Sequence, residues 1–190
     1  FRRIDTDLCL YVIANQEKFN QQYTQEMVMM KLTDNYAGNL YEAREKNDQE
    51  RADAITQEFI AACGDAGKAL IAKMDMYAAL RKKDIKTYCE KAVLVAETYS
   101  WDDPTELNNV AWGYYEMVDA KKDLKRAIKW VKRAIELENS YYNLDTYGML
   151  LAKLGDTKGA ITQLEKAIEA AKETGESYEE TQVELDKLKN

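Results

Sequence analysis

Between Asp103 and Thr174 small and large apolar residues recur on a helical period, and the pattern appears twice. In Tyr141–Thr174, Gly148, Ala160 and Ala167 stand at positions 8, 20 and 27 of a 34-residue period, with Leu144, Tyr147, Leu151 and Leu164 at the large apolar positions. Antiparallel helices approach closely only where side chains are small. The spacing therefore predicts a hairpin whose helices touch at Gly148 and Ala160, with Ala167 receiving the next helix. The stretch before it repeats the pattern with Leu107, Val110, Ala111, Ala127, Val131 and Ala134. There Ala111 and Ala127 are 16 residues apart instead of 12, which places four extra residues in the Met117–Asp123 turn.

Boundary signals divide the rest of the chain. Asp103 and Glu106 form a capping box around Pro104, so a helix should begin at Pro104. Its partner should run over Lys121–Leu137, and Gly155 followed by Asp156 should split the second pair. After Gly175, Ser177–Glu180 opens a last helix to Lys189, with Tyr178, Val183, Leu185 and Leu188 as its apolar side. Upstream, helices are expected over Ile4–Asn15 and over Gln16 to Lys46, the second carrying Phe19, Tyr23, Met27, Met30, Tyr36 and Leu40 on one face. The methionines of that face should fill a helix–helix core. Arg51–Cys63 should stop at Gly64, and Ala66–Arg81 with Asp84–Tyr99 should make a further hairpin outside the later register.

This spacing resembles the tetratricopeptide-repeat family. More narrowly, Trp101-Asp-Asp-Pro-Thr-Glu-Leu-Asn-Asn-Val-Ala-Trp112 and Asn143-Leu-Asp-Thr-Tyr147 resemble the helical region that follows a thioredoxin-like domain in exported bacterial proteins, a resemblance that extends back to Phe19. It implies an all-α, right-handed superhelix of antiparallel hairpins closed by a C-terminal capping helix. Residues 1–100 would form an N-terminal helical region with a degenerate hairpin, and 101–190 two repeats plus the cap, stacked as one superhelix. It also implies an extracytoplasmic, periplasmic setting and a thioredoxin-like domain as a partner in the same polypeptide.

One proline in 190 residues and abundant Ala, Leu, Glu and Lys suit helices throughout. The net charge is −7, which disfavours nucleic acid, and the basic cluster Arg81–Lys86 is too short to override it. No run reaches the roughly 18 to 20 apolar residues of a membrane span. Cys9, Cys63 and Cys89 are far apart with no CxxC, and are expected as small core residues, one disulfide among them being the alternative. The chain has no histidine, which removes Ser-His and Cys-His pairs and H-E-x-x-H zinc sites. Acidic pairs such as Asp102/Asp103 and Glu179/Glu180 read as helix starts, so neither catalytic residue nor cofactor nor metal site is expected.

In tetratricopeptide proteins the first helix of each repeat presents its positions 2, 5, 9, 12 and 13 to a peptide-binding groove. The resemblance assigns those positions to Thr105, Asn108, Trp112, Tyr115 and Glu116, then to Tyr142, Asp145, Met149, Ala152 and Lys153. A groove built on Asn108, Trp112, Tyr115, Tyr142, Asp145 and Met149 would join apolar anchors to hydrogen-bonding groups. The expected function is therefore a non-enzymatic protein-interaction module that binds a peptide or a neighbouring domain. The alternative is the helical C-terminal region of a thiol-disulfide oxidoreductase whose catalytic domain precedes Phe1.

Overall fold

The structure is a computed structural model that describes residues 11, 12, 14–20 and 25–190. Among them there is no strand, and the protein is all-α. Apart from residues 11, 12, 14 and 15, the helix expected over Ile4–Asn15 lies outside the described residues, as does Cys9. The chain divides into two compact units, Phe1–Met74 and Asp75–Asn190. The division falls inside a helix, 26 residues before the expected boundary at 100/101.

The first unit contains α1 (Gln16–Asn20), α2 (Gln25–Glu45) and the first part of α3 (Gln49–Lys82). Leu32, Tyr36, Leu40 and Ala43 of α2 bury against Ala52, Ile55, Phe59 and Ile71 of α3. The Tyr36 and Phe59 rings stack at 4.8 Å. Where the sequence predicts a stop, Gly64 breaks α3 with φ 56° and ψ −128°, a conformation that only a residue without Cβ adopts freely. The two segments then pack so closely that a Cβ on Gly67 would stand 2.9 Å from the Phe59 carbonyl oxygen. Met27 and Met30 do not fill this core. They are 49% and 52% exposed, because the buried stripe of α2 is set further along by Leu32, Tyr36 and Leu40.

In the second unit, α4 (Ile85–Leu94) continues into a π-helical turn, Val95–Tyr99. Then follow α5 (Pro104–Met117), α6 (Lys121–Leu137), α7 (Tyr141–Leu154), α8 (Thr157–Thr174) and α9 (Glu179–Lys189). Several boundaries have a local cause. Asp103 accepts the Glu106 amide at 3.0 Å, Pro104 occupies the first turn, Gly155 ends α7 at φ 85°, and Asp156 accepts the Gly159 amide at 2.9 Å. Consecutive helices α5 and α6 pack together, as do α7 and α8, while α7 also packs on both α5 and α6. Buried Tyr88, Tyr114, Trp130, Leu107, Leu150 and Leu164 fill the interior.

Small residues sit where the helices are closest. A Cβ on Gly148 would lie 2.5 Å from Leu164 Cδ2, and one on Gly113 would collide with the Tyr88 hydroxyl. The four extra residues of the first hairpin are distributed unevenly. Its connection, 118–120, is one residue longer than 155–156, so the other three extend the start of α6 as helix instead of lengthening the turn.

The two sequence signatures are tied into this packing. The Asn143 side chain donates to the Glu138 carbonyl at 2.7 Å and fixes the corner from α6 into α7. Arg133 donates to Asp102 at 2.7 Å and to the Trp101 carbonyl at 3.4 Å, holding the entry to α5 against α6. Cys89 is half-buried, and burial pushes its thiol above the ordinary range; Cys63 is half-buried against the core of the first unit.

Candidate functional site

Helix α9 lies along α8 and places Leu185 among Leu164 and Ile168, with Leu188 and Tyr178 packed alongside. Val183, expected on the apolar side, is instead 55% exposed. Thr181 is buried and donates to Asp145 of α7 at 2.7 Å, while its hydroxyl also meets the Tyr141 hydroxyl at 2.8 Å. Burial raises the Asp145 carboxyl above its ordinary value, Thr181 opposes that rise, and Glu180 adds to it. Asp145 therefore anchors α9 and is already occupied.

With α9 so placed, α5, α7 and α9 enclose a cleft of about 410 Å³. Its lining is Tyr115 and Glu116 of α5, Met149, Ala152 and Lys153 of α7, and Glu184 and Leu188 of α9. The Tyr115 ring stands 4.9 Å from Trp112, so the indole supports the ring from behind. Lys153 donates to the Tyr115 carbonyl at 2.6 Å and pairs with Asp119 at 3.0 Å, its ammonium lying 5.6 Å from the Tyr115 ring centroid. The Tyr115 phenol is raised by burial first and then by the carboxylates of Glu184 and Asp145. Glu184 is itself held by Lys187 at 2.9 Å.

The ten positions assigned to a groove thus separate. Tyr115, Glu116, Met149, Ala152 and Lys153 line one cleft, and Trp112 buttresses it. Thr105 is exposed, Tyr142 is 57% exposed beside Tyr141 at 5.0 Å, and the Asn108 side-chain oxygen is buried without a hydrogen-bond partner. Glu184 and Leu188 were not assigned to a groove because α9 stands outside the repeated pattern. A second cleft of about 460 Å³, lined by Leu80, Lys83, Ile85, Glu116 and Met117, shares only Glu116 with the first.

Chemically the first cleft offers an apolar floor of Tyr115, Met149, Ala152 and Leu188, with two carboxylates and one internally satisfied cation. That arrangement can receive an apolar side chain with a neighbouring cation. Among the described residues no group of His, Cys, Asp or Glu is arranged to hold a metal ion. Nor is any described helix long and apolar enough to cross a membrane. Comparison with protein families, with curated proteins and with solved structures finds no match to this chain.

Proposed function

We propose that the second unit is a tetratricopeptide-like stack of helical hairpins, and that the protein is a non-enzymatic interaction module binding a peptide in the α5–α7–α9 cleft. The observation that carries this reading is a coincidence of two independent patterns. Five positions that the repeat register assigns to a groove are five of the seven that line the cleft. A register chosen at random would scatter them around α5 and α7, which bury five and six of their 14 residues each. The ligand that fits is a segment with an aliphatic or aromatic side chain for the floor and a Lys or Arg beside it for Glu116.

The test is a selection of displayed peptides on the 190-residue chain, followed by affinity measurements on variants. Met149→Ala and Leu188→Ala should each weaken the selected peptides by about tenfold, the scale of a truncated apolar anchor. Trp112→Ala combined with Tyr142→Ala should also weaken them, because the lost indole removes the support for Tyr115. Affinities unchanged across all three variants would contradict the assignment.

A further inference from the structure

Helix α6 is the most basic element of an acidic protein. It carries seven basic residues and two acidic ones, a net +5 within a chain of net −7. Its Leu124, Ala127, Trp130, Val131 and Ala134 are buried. On the opposite side Lys121, Lys122, Lys125, Lys129 and Lys132 fall within about 100° of the helix circumference and span about 17 Å. All five are exposed.

The two arginines at one edge of this face are neutralised. Arg126 pairs with Glu97 at 3.8 Å, and Arg133 pairs with Asp102 and Glu136. Among the described residues none of the five lysines has an ion-pair partner; Lys129 only lies over the Trp101 ring, at 5.4 Å.

Three features of this helix run against its own stability. Lys121 and Lys122 occupy the first turn, where the helix dipole favours acids and Asp123 alone supplies one. The position before them, Ala120, gives no side-chain cap. Lys121/Lys125 and Lys125/Lys129 are like charges four residues apart, which repel. Violations of local rules that packing does not require point to a use outside the fold. Lys121 and Lys122 also belong to the extra helical residues that distinguish this hairpin from the next.

We propose that this lysine face docks an acidic segment of a partner protein. A row stepping by about 6 Å, four residues of helix, matches carboxylates four apart on a facing helix or two apart on an extended strand. A narrow occupant is favoured over a bilayer or a duplex because Glu97, Asp102 and Glu136, paired with Arg126 and Arg133, border the row. A broad anionic surface would press on those carboxylates within the screening length of about 8 Å. No apolar residue interrupts the lysine face to enter a bilayer. None of its residues lines the α5–α7–α9 cleft, so this inference stands apart from that one.

The experiment is fluorescence anisotropy of a labelled ten-residue oligoglutamate titrated with the full chain at low ionic strength, beside a ten-base-pair duplex and phosphatidylserine vesicles. Wild-type protein should bind oligoglutamate best. The variant K121Q/K122Q/K125Q/K132Q should lose about tenfold in affinity, the sum of several exposed ion pairs, while K82Q/K83Q/K86Q stays within about twofold. The fourfold variant should melt at the same temperature as wild type or higher. No oligoglutamate binding, undiminished binding by the fourfold variant, tighter binding to duplex or vesicles, or a lower melting temperature would each overturn the proposal.

Discussion

At Gly148 a single methyl group would stand 2.5 Å from Leu164, and the small side chain sets how closely α7 and α8 approach. Gly148→Ala should therefore destabilise the protein by about 1–3 kcal/mol, read from urea denaturation. Gly38 provides the contrast. It lies inside α2 with no side chain or neighbouring element within 4 Å of where its Cβ would be, so Gly38→Ala should stabilise by about 0.5–1 kcal/mol. Asp145 makes the pH argument. Its folded pKa is raised above the ordinary 3.8, so the folded state binds this proton more tightly than the unfolded state does. The stability it contributes is full below 3.8 and is lost as pH rises through the folded value. Asp145→Asn removes that titration while keeping an acceptor for Thr181. The stability of wild type relative to the variant should fall as pH is raised from below 3.8 toward neutrality, and a difference independent of pH would refute the burial argument.

Caps decide where the helices begin, and they were legible wherever the chemistry is local. Asp103 with Pro104, and Gly155 with Asp156, act within four residues of themselves, so sequence alone places α5, α7 and α8 correctly. The start of α6 is also placed at Lys121 by the sequence, although it has no such cap: Ala120 stands there in an extended conformation. Ala120→Asp should add about 1 kcal/mol of stability by accepting first-turn amides and facing the basic turn. Faces were less legible than ends. Met27 and Met30 keep the period of a buried stripe yet stand half exposed, because apolar periodicity does not say where along a helix its partner begins. The cleft was legible only from α5 and α7; α9 follows no repeat, and the buried Thr181 that positions it looks like a surface residue. The basic face of α6 vanishes when charge is summed over half the chain, since the surrounding helices are acidic.

Across the whole molecule the compact units divide at Met74/Asp75, which groups α4 with the repeated hairpins. The physical reason is Tyr88, whose buried ring lies 5.8 Å from Tyr114 and fills the space at Gly113, its hydroxyl donating to the Val110 carbonyl at 3.0 Å. Tyr77 adds a 2.8 Å hydrogen bond to Glu106. A fragment of residues 75–190 should therefore melt cooperatively, and a fragment of 101–190 should melt at lower temperature or lose cooperativity. Equal midpoints would show that α4 contributes nothing to the fold of the later helices.

The central claim is that the α5–α7–α9 cleft receives a peptide, and amide chemical-shift mapping tests it most directly. The labelled full-length chain would be titrated with a peptide selected on it. Shifts concentrated at Tyr115, Glu116, Met149, Lys153, Glu184 and Leu188, saturating with one affinity, are the result the account predicts. Shifts confined to α2 and α3, or distributed over the chain without a focus at the cleft, would contradict it.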